Sequence, residues 1–282
     1  MPEDTRLPTV PLAHEIHGSG RGPAVLLIAG TGYSGSTWPT EFVGPLARRY
    51  AVVTFDHRGT GRTPGTPEAY STRLFAADVV ALLDELGIDV AHVLGHSMGG
   101  RVAQWLALDA PERVRSLILA ASGPGQFESG HRQAQGIPVA TALGLVEHGY
   151  EGYMRDLITR NFFTAAFAEA HPERVKSLVR AFWKNRPGLE DYLKHVTARQ
   201  EHRTADRLHE IGLPTLVLIG ETDTHVGGTG SHWDQSQYLA ANIPGADLGV
   251  IEDAKHGFFW SHPERTVELL TAWIDRIEGS TS

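Results

Sequence analysis

The chain has 282 residues, of which 41% are hydrophobic and 21% are charged, a composition typical of a globular protein with a sizeable core. The formal net charge of -8 at pH 7 argues against binding to nucleic acid or to an anionic membrane surface. Because the sequence contains no cysteine, it excludes disulfides, cysteine catalysis and cysteine-ligated metal sites.

The start of the chain does not resemble a secretory signal peptide. Its first ten residues contain two acids and two prolines before any apolar run. No apolar run approaches the roughly 20 residues that a membrane-spanning helix needs. We therefore expect a cytoplasmic protein without nucleic acid or membrane partners. The sequence leaves the oligomeric state open.

Six short apolar segments rich in β-branched residues predict central parallel strands that are buried on both faces. They occupy residues 24–30, 50–56, 91–97, 116–122, 214–220 and 246–253. Helical patterns lie between them. After Ser71, apolar residues recur at helical spacing as far as Leu86, and Gly87 stands where a helix would stop. The alternation predicts a doubly wound α/β domain with a mostly parallel sheet.

One interval, residues 123–213, interrupts the alternation of strands and helices. It contains no clear strand, and its apolar spacing is typical of helices punctuated by prolines. Such a segment is too long for a simple crossover connection, so we predict a helical insertion. The predicted organisation is an α/β core domain and a helical cap, at residues 1–123 with 213–282 and at residues 124–212 respectively.

Two short motifs suggest a cofactor or a metal, and both are weak. GTGYSG at residues 30–35 matches the dinucleotide fingerprint G-x-G-x-x-G, with Asp56 standing 21 residues beyond it. That fingerprint needs a helix that begins at the third glycine, whereas Pro39 and Pro45 would break a long helix there. HEIH at residues 14–17 is one residue short of the zinc motif H-E-x-x-H and reads as an exposed strand or loop. We expect no cofactor and no metal.

Residues 93–111 indicate nucleophilic chemistry. An apolar strand runs into GHSMG at residues 95–99, and a helical pattern follows as far as Pro111. This order of strand, tight turn and helix is typical of a nucleophile elbow, in which a serine is exposed on a strained turn. We therefore predict Ser97 as the nucleophile. We interpret His96 as a packing residue, because adjacent side chains on such a turn diverge.

The general base and its orienting acid are expected in loops that follow later strands, in the chain order serine, acid, histidine. His256 follows the last predicted strand and is the candidate base, with His262 as its rival. Asp223 follows the preceding strand and is the candidate acid. Glu221 is the next choice for the acid, and Asp253 is the third.

Together these motifs resemble the α/β-hydrolase superfamily, in the cap-bearing group of enol-lactonases, aminoacrylate and carbamate hydrolases, carbon–carbon bond hydrolases and cofactor-free haloperoxidases. The resemblance covers most of the chain and is carried by AGTGYSGSTW, FDHRGTGRT, GHSMGG, GETD and KHGFF. It implies an oxyanion hole whose backbone N–H donors belong to Thr31 and Met98. It also implies that Asp56 stabilises a turn. Ala29-Gly30 stands where most relatives have His-Gly.

The resemblance implies a serine hydrolase that cleaves a small ester or lactone through an acyl-enzyme, with Ser97, Asp223 and His256 as its triad. Amide, carbamate or carbon–carbon bond hydrolysis and a cofactor-free haloperoxidase or perhydrolase are alternatives, and a non-catalytic receptor is another. The acidic chain favours a neutral or weakly charged substrate, although one buried arginine would change this. The cap is expected to supply apolar walls, for which Phe162, Phe163, Phe167, Phe182 and Trp183 are candidates, although packing within the cap is the favoured role of each.

Overall fold

A seven-stranded sheet forms the centre of the protein. The computed structural model describes residues 7–19, 22–126, 135–224 and 230–280. The strand order within these residues is β1-β3-β2-β4-β5-β6-β7. Strand β1 pairs antiparallel with β3, and the other neighbouring strands pair in parallel. The strands are β1 (His14–His17), β2 (Ala24–Ile28), β3 (Ala51–Phe55), β4 (Ala91–His96), β5 (Val114–Ala120), β6 (Thr215–Gly220) and β7 (Asp247–Ile251).

Helices cover the sheet and fill the long interval between β5 and β6. In the described ranges they are α1 (Thr40–Ala47), α2 (Thr72–Glu85), α3 (Met98–Asp109), α4 (Val139–Leu157), α5 (Ala165–Ala170), α6 (Pro172–Lys184), α7 (Leu189–Gln200), α8 (His232–Asn242), α9 (Phe258–Ser261) and α10 (Pro263–Ser280). A π-helix, Ile158–Phe162, continues α4. Among the residues described, no helix combines the length and apolar character needed to span a bilayer.

The predicted strands and the mostly parallel α/β sheet are confirmed. Each of the six predicted strands is present, with ends within two residues of those expected. The expectation that all six are central was wrong for β7, which forms an edge of the sheet. Its residues Asp247 and Leu248 are accordingly exposed. HEIH forms β1, the strand at the other edge.

Helix α2 shows how local sequence sets an element's ends. The Ser71 side chain accepts a hydrogen bond from the Leu74 backbone N–H at 3.0 Å, which satisfies one unpaired donor of the first turn. Gly87, just beyond the helix, has φ +63°, a conformation that glycine adopts without strain. The predicted helix is therefore present, and it buries its apolar face through Phe75, Val79, Leu82 and Leu83.

The two faces of the sheet carry separate hydrophobic layers. Successive strand residues point to opposite sides, so that Leu26 joins one cluster and Leu27 joins the other. The Leu26 layer packs against α2 and α3. The Leu27 layer includes side chains of α1 and α10, together with Phe162 and Phe182 from the inserted helices. Burial of apolar area on both faces is the main term that stabilises this arrangement.

The loop after β3 is a structural turn built around Asp56. Its carboxylate accepts hydrogen bonds from the backbone N–H of Gly35 at 2.8 Å and of Arg62 at 2.9 Å. This agrees with the interpretation of Asp56 as a residue that stabilises a turn. The third glycine of GTGYSG opens only a short 3₁₀ turn, Gly35–Thr37, and α1 begins later, at Thr40. The helix that a dinucleotide site requires does not begin at that glycine.

The segment between β5 and β6 is helical in its described part and contacts the loops at the carboxyl end of the sheet. From α7, Asp191 accepts a hydrogen bond from the Tyr70 hydroxyl at 2.6 Å, and His195 Nε2 donates to the Arg58 carbonyl at 2.9 Å. Gly149 bends α4, with φ 66° and ψ 171°. The division of the chain into a core and a separate cap stays a prediction.

Candidate active site

Ser97 lies on the turn between β4 and α3, with φ 58° and ψ −117°. L-residues avoid this region because Cβ approaches the backbone. Two backbone hydrogen bonds hold the turn: Ser97 N–H donates to Ala120 O at 2.8 Å, and Gly100 N–H donates to Ser97 O at 3.1 Å. The Ser122 hydroxyl also donates to Ser97 O, at 2.7 Å. The surrounding strand and helix therefore fix a strained turn, and Ser97 lines a cavity.

The glycines on either side of Ser97 are required by close packing. A Cβ at Gly95 would collide with the backbone carbonyl of Gly99. A Cβ at Gly99 would collide with the carbonyl of Ile28, on β2. Because neither glycine carries a side chain, the first turn of α3 lies directly against the strand ends. The positive end of that helix consequently adjoins Ser97.

His256 and Asp223 meet beside the cavity. His256 lies in the loop between β7 and α9, and its Nδ1 is 2.8 Å from Asp223 Oδ2. Because a carboxylate can only accept, Nδ1 carries the proton and Nε2 of the neutral ring is the proton acceptor. The alternative candidates are engaged elsewhere. Glu221 accepts from the backbone N–H of Asp253 at 3.0 Å, and the ring of His262 hydrogen-bonds the preceding serine at 2.8 Å.

His232 is a second histidine on the same carboxylate, and sequence reasoning missed it. Its Nδ1 is 3.2 Å from Asp223 Oδ1. Its ring stacks on that of His256, with centroids 4.2 Å apart. His232 is the first residue of α8. Most of the preceding glycine-rich segment, residues 225–229, lies outside the described residues. No local motif marks His232, because only the fold brings the start of α8 to the loop after β6.

Burial and neighbouring charges set the protonation of this group. Burial raises the pKa of Asp223, but the imidazoles of His256 and His232 outweigh burial and hold that pKa well below its ordinary value. Burial lowers the pKa of His256, and His232 lowers it further, against the opposing effect of Asp223. At neutral pH the site therefore pairs an ionised carboxylate with a neutral His256, which is the form that a general base requires.

His96 supports the loop that carries His256. Its Nε2 donates to the backbone carbonyl of His256 at 3.0 Å, and the two ring centroids are 4.7 Å apart. Burial holds the pKa of His96 well below its ordinary value, so the ring is neutral. These contacts agree with the interpretation of His96 as a packing residue.

Thr31 and Met98 occupy the positions expected of oxyanion donors. Thr31 follows β2 and lines the cavity with Ser97, and Met98 is the first residue of α3. Neither backbone N–H donates a hydrogen bond within the described part of the chain. An oxyanion hole needs such uncommitted donors beside the nucleophile. The assignment of these two amides stays a prediction.

The cavity above Ser97 has a volume of about 50 Å³, small beside the roughly 300–1,000 Å³ of typical ligand pockets. Its floor comes from strand ends and the loops that leave them: Gly30, Thr31, His96, Ser97 and His256. Its roof comes from the inserted helices: Leu157, Asn161, Phe162, Tyr192 and Arg199. Tyr33 and His232 complete the wall.

Of the five aromatic candidates, for each of which packing is the favoured role, one lines this cavity. That residue is Phe162. Phe163 instead stacks on Phe167, with ring centroids 5.4 Å apart. Phe182 packs behind Tyr33 at 5.1 Å, and Trp183 packs on Tyr150 at 5.6 Å. Sequence reasoning missed the roof residues Leu157, Asn161, Tyr192 and Arg199, since helical periodicity marks apolar positions but not those that face a ligand.

The roof is fastened to the loop that carries His256. The Gly257 backbone N–H donates to the Phe162 carbonyl at 2.9 Å, and Lys255 Nζ donates to the Arg160 carbonyl at 2.9 Å. The Phe162 and His256 ring centroids are 5.1 Å apart. The π-helix carries both accepting carbonyls, and such helices occur frequently at functional sites.

One group of potential metal-ligating atoms converges within the described ranges. It consists of one atom each from Asp223, His232 and His256, all within 4.8 Å of one another. The hydrogen bonds of 2.8 Å and 3.2 Å to the two carboxylate oxygens account for this spacing. The group is therefore explained as two histidines that share one carboxylate.

Comparison with known proteins identifies the family. The model of the alpha/beta hydrolase fold matches residues 23–263, well over half of the chain. The chain belongs to the α/β-hydrolase family. A protein from Caulobacter vibrioides that is provisionally named as the carbamate hydrolase RutD is 32% identical to this α/β-hydrolase over 278 residues. The alignment covers 94% of this chain and 95% of that protein.

Solved structures resemble this α/β-hydrolase over nearly its whole length. Est816, described as an N-acyl homoserine lactone degrading enzyme, is 30% identical, with a TM-score of 0.77 and coverage of 93% of this chain and 96% of that one. The enol-lactonase from Burkholderia xenovorans LB400, at 24% identity, a TM-score of 0.79 and coverage of 94% and 96%, shows the common fold. This α/β-hydrolase is therefore a hydrolytic enzyme that acts on small molecules.

Proposed function

We propose that this α/β-hydrolase cleaves a small ester or lactone with Ser97 as nucleophile, His256 as base and Asp223 as orienting acid. One observation carries the proposal: a serine on a strained turn lines the same cavity as a histidine whose Nδ1 is bound to a buried carboxylate. Because Nδ1 carries the proton, Nε2 of His256 is unprotonated and can accept the proton of Ser97. No hydrogen bond joins Ser97 Oγ to His256 in the described residues, and such bonds commonly tighten only when substrate binds.

The reaction proceeds in two stages. Ser97 Oγ attacks the carbonyl carbon while His256 Nε2 takes its proton, and Asp223 stabilises the imidazolium that forms. The negative oxygen of the tetrahedral intermediate accepts hydrogen bonds from the Thr31 and Met98 amides. The bond to the leaving oxygen then breaks, and that oxygen takes the proton from His256. A water deprotonated by His256 attacks the acyl-enzyme, releases the acid and regenerates Ser97.

The volume of the cavity bears on the size of the acyl group. About 50 Å³ accommodates an acyl group of only a few heavy atoms, since one water occupies about 30 Å³ in the liquid. We propose that residues 124–212 act as a cap, with Leu157 and Phe162 setting this limit from the roof. Longer acyl chains would require the roof to move.

Carbamate hydrolysis is a second candidate. It is favoured by the relatives at 32% identity that bear the carbamate hydrolase name. The triad would act in the same order on a carbamate carbonyl. A panel of a short-chain p-nitrophenyl ester, a small lactone and a small carbamate, compared by kcat/KM, separates the two candidates.

Reactivity of Ser97 is the test. A fluorophosphonate probe should label Ser97, and Ser97→Ala should abolish labelling and lower ester kcat by about 100,000-fold or more with unchanged thermal unfolding. The exposed Ser36 supplies a matched control, since Ser36→Ala should change neither labelling nor turnover. Folded wild-type protein that is not labelled at Ser97 and turns over no ester, lactone or carbamate would favour a non-catalytic receptor.

A further inference from the structure

Arg199 places a positive charge on the roof of the cavity. It lies on α7 and lines the cavity together with Ser97 and His256. Within residues 7–19, 22–126, 135–224 and 230–280, its guanidinium makes no ion pair and no hydrogen bond, whereas its backbone carbonyl accepts from the Arg101 guanidinium and from the His202 N–H. Burial lowers the pKa of His256, and the charge of Arg199 makes a small contribution in the same direction.

No carboxylate among the described residues of the cavity wall balances this charge. The lining that the structure describes contains neither aspartate nor glutamate. Asp223 lies behind His256, and its two oxygens are engaged by His256 and His232. An arginine in a small, partly dehydrated space is stabilised by a partner that offers two oxygens in one plane. The described wall supplies no such partner, whereas a ligand with a carboxylate does.

Two hydroxyl groups of the wall are also without partners. Thr31 Oγ1 and Tyr33 Oη are buried and have no hydrogen bond within the described residues. Tyr33 is held rigidly, with its ring 5.5 Å from that of Phe162 and 5.1 Å from that of Phe182. Burial raises the pKa of Tyr33 well above its ordinary value, so its hydroxyl remains a donor. Buried polar groups are normally satisfied, which indicates that these hydroxyls meet oxygen atoms of a ligand.

We propose that Arg199, with the hydroxyls of Tyr33 and Thr31, binds a carboxylate of the substrate, so that this hydrolase acts on small esters or carbamates that carry a negative charge. The proposal rests on the proposed function and specifies its substrate class. It sharpens the expectation of a neutral or weakly charged substrate, because the half-buried Arg199 adds a positive charge to the cavity wall. Because the cavity holds only about 50 Å³, the carboxylate and the scissile carbonyl are separated by few bonds.

A pair of isosteric substrates isolates the charge. Monomethyl malonate carries a carboxylate two bonds from its ester carbonyl, and methyl malonamate carries a neutral amide in the same place. We expect wild-type kcat/KM to be at least about tenfold higher for the anion, measured by titration of the acid released, because a charged hydrogen bond to a fixed guanidinium discriminates strongly.

Variants then assign the preference to Arg199. Arg199→Gln should lower kcat/KM for monomethyl malonate by about 30- to 100-fold and change that for methyl malonamate by less than about threefold. Arg199→Lys should restore part of the loss, since it retains charge without the planar fork. Arg160→Gln is the charge-matched control, because Arg160 pairs with Asp156 on the surface, and it should leave the ratio unchanged. Tyr33→Phe should raise KM for the anion alone.

A binding measurement tests the carboxylate site independently of the catalytic reaction. In the Ser97→Ala background, calorimetry should detect malonate, and Arg199→Gln should abolish that binding. Equal losses on both substrates with Arg199→Gln would overturn the carboxylate site and indicate a structural role. Absence of malonate binding, with normal turnover of a neutral ester, would overturn it while leaving the triad intact. If wild-type protein binds malonate but neither turns over any ester nor is labelled at Ser97, the proposed function is overturned and the carboxylate site is not.

Discussion

The floor and the roof of the cavity are built by different means. Backbone hydrogen bonds at the strand ends fix the floor: Ser97 N–H donates to Ala120 O at 2.8 Å, and Asp223 N–H donates to Gly220 O at 3.0 Å. Apart from the hydrogen bonds of Gly257 and Lys255 to the π-helix, side-chain packing holds the roof, where the Phe162 ring lies 5.7 Å from that of Trp260. Backbone geometry depends little on side-chain identity, whereas packing depends on each side chain.

This contrast separates two properties of the enzyme. Substitutions in the floor should change the rate for all substrates alike, because they alter groups that act on the common carbonyl. Substitutions in the roof should redistribute activity among substrates, because they alter the space and charge around the variable part of the ligand. The following predictions test how far the two parts act independently.

After the loss of the nucleophile itself, the largest effect is expected at the buried carboxylate behind the floor. Asp223→Asn should lower kcat by about 10,000-fold for every substrate, because the amide would no longer hold His256 in the tautomer with Nε2 unprotonated. Steady-state kinetics on neutral and anionic esters measures the loss. Glu221→Gln is the control, since Glu221 contacts Asp253 and not His256. A loss that depends strongly on the substrate would break the proposed separation.

A roof substitution should alter selectivity by a smaller factor. Leu157 is half-buried and lines the cavity, so Leu157→Ala should enlarge the space for the acyl group. We expect the ratio of kcat/KM for butyrate to that for acetate esters to rise by about tenfold, since each methylene in an apolar pocket is discriminated by about that factor. Val146→Ala, on the exposed side of α4, is the control. An unchanged ratio would show that the acyl group does not reach Leu157.

His232 lies in the cavity wall and affects the pH at which the base His256 loses its proton. Burial lowers the pKa of His256 and the interaction with His232 lowers it further, and a base must be unprotonated to act. The acid limb of kcat/KM should therefore lie below pH 6.5, the ordinary pKa of histidine, and His232→Gln should move it to higher pH. Profiles from pH 4.5 to 8 measure the shift. His262→Gln should leave the limb in place, whereas a limb unmoved by His232→Gln would exclude electrostatic coupling.

The smallest effect is expected on stability, at the turn itself. Ser97 has φ 58° and ψ −117°, and such strain costs about 1–3 kcal/mol in a residue with a Cβ. Ser97→Gly should therefore unfold about 2–4 °C above Ser97→Ala, although both are inactive. Differential scanning calorimetry measures the difference. An equal or lower Tm for Ser97→Gly would show that the turn stores no strain.

Local sequence was sufficient wherever a residue's position follows from the chain next to it. Ser97 is predicted from the order of strand, tight turn and helix around GHSMG, and in the structure the packing of α3 against the strands requires its glycines. Asp223 and His256 were proposed because parallel strands end at one edge of a sheet, and the structure places them 2.8 Å apart. The edge position of β7 was missed, because its apolar pattern resembles that of an inner strand and edges are set by topology.

His232 and Arg199 could not be predicted because neither belongs to a motif. Each is a single polar residue in a helix, at the start of α8 and near the end of α7. Whether such a residue faces solvent or a cavity depends on how the whole helix is rotated and docked. The sequence is compatible with an arginine that changes the substrate class, but nothing in it distinguishes Arg199 from the other arginines.

The hydrogen bond between Gly257 and Phe162 ties access to catalysis. Displacement of the π-helix to admit a ligand would stretch this bond and pull on the loop that holds the imidazole. The imidazole of His256 would then be misaligned while the roof is displaced and aligned once the roof returns. Ser97 would be activated only when the cavity is closed, so that water in an open site would meet a serine without an aligned base.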